Sequence, residues 1–197
     1  MIPRTRFVIS SIAVAVAVSA WGADKNFRAG AAGDYAHQTS DQVTVGAKAF
    51  DTEELTAEAF GKKTDFLRYG VLPVLVVIEN KREKTLDLRY LEVNLVASDG
   101  RHATAVNPED LFALGRPQRT PKINPVPNPL PKKKNSLNTP EIVERAFAAR
   151  MLPPGDSASG FFYFEARPEP GDKLYLNGLR ETLTSKDIMY FEFELGK

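Results

Sequence analysis

The chain has 197 residues, 26 Lys plus Arg against 25 Asp plus Glu, and no cysteine. So even a charge balance argues against general nucleic-acid binding, which is driven by neutralising phosphates. Without cysteine there is no disulfide, no thiolate metal site, no thiol nucleophile and no redox pair.

Met1 to Ala23 reads as a secretory leader: Arg4 and Arg6, an apolar run from Phe7 to Val18, then Ser19, Ala20, Gly22 and Ala23. The run is shorter than the ~20 residues a transmembrane helix needs, and its small-residue exit suits a signal peptidase cutting before Ala23 or before Trp21. A periplasmic or secreted location in a bacterium is expected, with no transmembrane segment once the leader is removed. No cysteine follows the leader, so a lipid-anchored form is not expected. The leader holds two arginines and no acid, so the remaining 24 bases face 25 acids. About 174 residues are left, enough for one domain with its own core.

Asp24 to Thr39, rich in Gly and Ala and without periodicity, predicts a loosely held arm (24–39) ahead of a body at 40–197. Gln42 to Phe50 alternates Val43, Val45, Ala47 and Ala49 with Thr44, Gly46 and Lys48, as a half-buried strand does. A helix is predicted over Thr52 to Phe60, capped by Asp51 with Glu54 completing a capping box and Gly61 ending it. Val71 to Ile78, VLPVLVVI, is apolar on both faces and predicts a central strand covered on each side, with Pro73 near its start or at a bulge. Leu91 to Ser98 alternates again, Asp99-Gly100 marks a hairpin turn, and a return strand runs through Thr104 to Val106.

Asn107-Pro108 opens a short helix. An insert follows at 115–136, in which prolines alternate with basic or small residues from Gly115 to Lys134, favouring a solvated extended chain. Thr139-Pro140-Glu141 predicts a helix presenting Ile142, Val143, Ala146, Phe147 and Arg150 on one face. After the turn at Leu152 to Gly155, strands are predicted at Gly160 to Ala166, with aromatics on both faces, at Lys173 to Leu179, and at Ile188 to Leu195, where Met189, Phe191, Phe193 and Leu195 share a face.

Short strands and turns without a βαβ rhythm give the fold class: all-β with minor helices, an immunoglobulin-like antiparallel β-sandwich of about seven strands. The stretches GVLPVLVVIEN (Gly70 to Asn80), LPPGDSASGFFYFE (from Leu152) and IMYFEFEL (from Ile188) resemble exported bacterial proteins of uncharacterised function that carry an immunoglobulin- or fibronectin-III-like sandwich. The resemblance covers Gln42 to Leu195, is one of pattern, and implies the sandwich without transferring any catalytic residue. The basic insert and the helix after it depart from a minimal sandwich.

Chemistry-bearing residues are sparse. His37 and His102 stand far apart with no ligand set beside either, and the common hydrolase and nucleotide motifs are absent. Ser157 and Ser159 fall in a predicted turn without a histidine partner. Asp99, Glu109 and Asp110 lack calcium-loop spacing and read as turn and cap residues. Glu192 and Glu194 share one strand face at ~6 to 7 Å, a separation that invites comparison with a glycosidase pair, yet a solvated outer face explains them. No catalytic residue, metal site or cofactor is assigned.

The insert is the candidate partner-binding element. Arg116, Arg119, Lys122, Lys132, Lys133 and Lys134 lie in a chain that Pro117, Pro121, Pro125, Pro127, Pro129 and Pro131 keep extended, suiting an envelope protein or an anionic cell-surface component. The function expected is an exported, non-enzymatic binding or accessory protein of the bacterial envelope, contacting partners through sheet edges and this loop. The alternatives are a carbohydrate-active or other hydrolase using Glu192 or Asp110, and a structural subunit of an envelope assembly with an aromatic patch at Phe161, Tyr163, Tyr175 and Tyr190.

Overall fold

A strand that is apolar on both sides must be covered twice, and the tertiary structure supplies both covers to VLPVLVVI. The computed structural model describes residues 27–114, 135–182, 184, 188 and 190–195. In chain order its strands are β1 (Ala36–Ser40), β2 (Val43–Ala49), β3 (Leu72–Asn80), β4 (Leu86–Asp87), β5 (Glu92–Val96), β6 (His102–Thr104), β7 (Met151–Leu152), β8 (Ser157–Phe164), β9 (Asp172–Asn177), β10 (Arg180–Glu181) and β11 (Phe191–Leu195). Its helices are α1 (Glu53–Phe60), α2 (Leu111–Leu114) and α3 (Pro140–Glu144). None of the described helices is long and apolar enough to cross a membrane.

One sheet runs β1-β2-β3-β8, the second β11-β9-β5-β6, and a short third β10-β4-β7, with every ladder antiparallel. Setting β2-β3-β8 against β11-β9-β5-β6 reproduces the A-B-E and G-F-C-C′ order of an immunoglobulin sandwich, seven strands as expected, with β1 and the short sheet added. The two-residue alternation of β3 divides its side chains. Leu72, Val74, Val76 and Ile78 enter the sandwich interior with Phe164, Leu174, Leu176, Phe191, Phe193 and Leu195. Val71, Leu75 and Val77 enter a second core with Phe50, Phe60, Phe66, Leu111, Ile142, Phe161 and Tyr163, beneath the helices. Complete burial of each such side chain stabilises the fold by about 1.5–3 kcal/mol.

Several expectations are corrected. Part of the predicted arm is structure: Ala36–Ser40 pairs with β2, and Ala32 is buried in the second core. The connecting turn, Asp41-Gln42, has φ of 48° and 61° at both central residues, a type I′ geometry normally signalled by Asn-Gly or Asp-Gly. Arg82 donates to the Asp41 carboxylate, and the Lys81 N–H donates to the Gln42 carbonyl at 2.9 Å, so tertiary bonds hold a turn that its own residues do not favour. Gly46 lets the chain before β1 lie flat on the sheet, since a Cβ there would sit 2.4 Å from the Ala32 carbonyl oxygen.

Helix α1 is capped by Thr52 rather than Asp51: Thr52 has an extended backbone, and its Oγ1 accepts from the Leu55 N–H at 3.3 Å. Helix α3 stops at Glu144, well short of Arg150, so the predicted apolar face breaks up and Val143 is exposed. The reason is competition from a sheet edge. Phe161 N–H donates to the Arg145 carbonyl at 2.8 Å and Phe147 N–H to the Phe161 carbonyl at 3.1 Å, extending the first sheet past β8. Gly160 permits the approach, because a Cβ there would meet the Phe147 Cα at 2.4 Å. Among the described residues the predicted last strand pairs only from Phe191 onward, and Met189 lies outside them.

Candidate functional site

The two sheets present neighbouring edges along one side: β1 ends the first and β11 ends the second. β1 is short and polar, AHQTS, and almost wholly exposed, a composition that discourages indiscriminate pairing. Across the seam, the Gln38 side chain forms a two-way bond with one peptide unit pair of β11: its Nε2 donates to the Glu192 carbonyl at 2.5 Å, and Glu192 N–H donates to its Oε1 at 3.1 Å. A side-chain amide thus stands where the backbone of an added strand would stand.

Glu192 faces Tyr175 on β9, yet its N–H and carbonyl point away from β9 toward Gln38, so this is a non-hydrogen-bonded pair of the ladder. Antiparallel alternation gives Glu194, opposite Lys173, the same outward orientation. Its backbone pair faces a cleft of about 640 Å³ lined by Asp34, Tyr35, Ala47, Ala49, Asp51, Leu55, Phe193 and Leu195, among others. Polar and apolar side chains both line it. The carboxylates of Asp34, Asp51, Glu192 and Glu194 outnumber the lining bases His37 and Lys48. Lys48 is drawn over the Phe50 ring at 5.7 Å, and Glu192 accepts from Lys173 at 2.7 Å, which holds that lysine above its ordinary pKa.

The far end of β1 is fixed by a charge network. Glu181, almost fully buried, accepts from Lys84 Nζ at 2.5 Å and from Arg82 Nη2 at 2.8 Å, and these bonds, Lys84 first, keep its carboxyl below the usual range. Arg82 in turn grips Asp41, so the register of β1 depends on residues of the β3–β4 loop and β10.

The residues singled out in the sequence fall as follows. Arg116, Arg119, Lys122, Lys132, Lys133 and Lys134 lie outside the described residues. His37 is on β1, with Nδ1 3.0 Å from the Tyr35 carbonyl, and His102 is on β6, the opposite edge of the second sheet. Among the described residues no group of three or more His, Asp or Glu could hold a metal ion. Ser157 and Ser159 belong to β8 rather than a turn. Asp99 accepts from the Arg101 backbone and guanidinium, and Asn107 caps the turn at Glu109. Glu192 and Glu194 do share the outer face. The proposed aromatic patch is reduced: Phe161 and Tyr163 are buried, Tyr175 is half-buried, and only Tyr190, 62 % exposed, stands clear. Gln38, the residue that identifies the seam, carried no sequence signal because a polar edge strand has the composition of a loop.

No family model matches the chain, and no curated protein matches it. Among solved structures, it is similar to the yjhA protein of Bacillus subtilis at 12% identity and TM-score 0.46, over 81% of this chain and 96% of that one. The ycdA protein of Bacillus subtilis gives 13% identity and TM-score 0.41 over 81% of this chain but 38% of that one, so this chain spans well under half its length. The secreted protein MPT63 of Mycobacterium tuberculosis gives 16% identity and TM-score 0.37, over 83% of this chain and 95% of that one.

Proposed function

We propose that this protein is an exported, non-enzymatic accessory protein of the bacterial envelope that holds a protein partner by strand addition at the seam between β1 and β11. The leader pattern of Arg4, Arg6 and Phe7 to Val18 supports export. The observation that carries the binding mode is the Gln38 amide seated on the outward backbone pair of Glu192, with the equivalent pair of Glu194 turned into the adjoining cleft. Edge addition draws its affinity from main-chain bonds and its specificity from the pockets that alternate side chains meet. The six cations of the 115–134 segment enter the proposal by charge alone, as a second contact for an anionic surface component.

A photo-crosslinking side chain at Ala36, on the seam, tests this in envelope preparations, with one at Asp110 as the distant control. The proposal expects a discrete adduct from position 36 that Glu194→Pro abolishes and Glu194→Gln retains. Proline is tolerated on an edge strand but removes the outward donor. The same adducts from both positions, or an adduct indifferent to Glu194→Pro, would refute it.

A further inference from the structure

We infer that the seam selects an extended peptide segment in which cationic residues alternate with small apolar ones. The inference rests on the strand-addition reading and adds the chemistry of the occupant. A strand added to β11 continues the second sheet, so its side chains must alternate between that sheet's two faces. On the outer face, the positions beside β11 meet Glu192 and Glu194, which stand in line on that face. On the inner face, the intervening positions point toward the apolar part of the cleft lining, Phe193 and Leu195 from β11, and Ala47, Ala49 and Leu55 from the first sheet and α1, of which Phe193, Leu195 and Ala47 are almost fully buried. The outer positions therefore favour Lys or Arg, and the inner ones favour side chains that fit between two edges bridged by a single glutamine.

Charge sets the sign of the selection. The four carboxylates of Asp34, Asp51, Glu192 and Glu194 exceed the nearby Lys48 and Lys173 by two. The Lys173–Glu192 pair is a surface pair that exchanges at little cost, so an incoming cation can share Glu192. Glu194, exposed and on the same face one pleat further along, takes the next cation of a period-two segment. The cleft lies within the roughly 300–1,000 Å³ of ordinary ligand sites, which suits a short stretch of chain and not a folded surface.

Titration calorimetry of the full chain with capped Lys-Val-Lys-Val, against capped Glu-Val-Glu-Val, reads the selection. The lysine peptide is expected to bind about tenfold tighter than the glutamate peptide. Added salt should narrow that gap, and the double variant Glu192→Gln with Glu194→Gln should erase it. Thermal melts confirm that each variant is folded. Equal binding of the two peptides, no binding of either, or a preference that survives the double variant overturns the inference. Loss of both peptides in Glu194→Pro, with no charge preference in the parent, removes the charge rule and leaves strand addition standing. Lysine-peptide binding untouched by Glu194→Pro removes strand addition itself. Tighter binding by a chain lacking Pro117 to Lys134 than by the full chain overturns the external partner in favour of the chain's own basic segment.

Discussion

Asn80 closes β3 and is 1 % exposed, yet every polar atom of its side chain is used. Its Nδ2 donates to the carbonyls of Lys84, Leu152 and Pro153 at 2.8, 2.9 and 3.1 Å, and its Oδ1 accepts from the Arg82 N–H at 3.1 Å. One amide thereby joins the β3–β4 loop to the turn before β8 and sets the backbone that carries Arg82 toward Asp41 and the β1 hairpin. Asn80→Ala strands one buried carbonyl, at about 1–3 kcal/mol, and, since the amide has two hydrogens and one accepting oxygen in use, removes two further bonds worth about 0.5–1.5 kcal/mol each, for a loss of about 2–6 kcal/mol. With a urea slope of about 2 kcal/mol/M, the unfolding midpoint should fall by about 2 M. Asn80→Asp keeps the volume but points a second oxygen at three carbonyls, so the folded state favours the protonated acid and raises its pKa above the unfolded value. The native form then binds more protons, and stability falls as pH rises from the unfolded value of about 3.9 toward the raised one. Urea titrations at acid and neutral pH read both effects. An Asn80→Ala loss under about 0.5 kcal/mol, or an Asn80→Asp variant insensitive to pH, would refute the reasoning.

Gln42→Gly places Asp-Gly in the type I′ turn and relieves a left-handed residue, so stability should rise by about 0.5–1 kcal/mol in the same assay. Asp87 is held at about 2 by hydrogen bonds from Arg89, so its contribution is complete above the unfolded pKa and is lost as pH falls from about 4 toward 2. Asp87→Asn should flatten the acid limb of a stability–pH curve over that window and leave the neutral limb with the same slope. Gln38→Ala uncovers the Glu192 backbone pair, so it should tighten Lys-Val-Lys-Val binding several-fold and make the protein more prone to self-association by light scattering.

Local pattern was enough for the sandwich. The two-sided apolar run of β3, the aromatics of β8 and the alternation of Phe191, Phe193 and Leu195 state which residues are buried, and burial of that pattern is met by few architectures. It was not enough for the edges. β1 buries little, its turn lacks the glycine that would announce it, and α3 ends where the outer edge of β8 offers Arg145 and Phe147 better hydrogen bonds than another helical turn. The same division separates the core from the candidate site: apolar burial is written into the order of residues, whereas the seam exists only because two sheet edges, more than 150 positions apart in the chain at Gln38 and Glu192, are brought within one side chain's reach. The hydrophobic effect acts residue by residue and leaves a trace in the chain, but a backbone edge is left open or closed by its neighbours in space, and those are chosen by the tertiary structure.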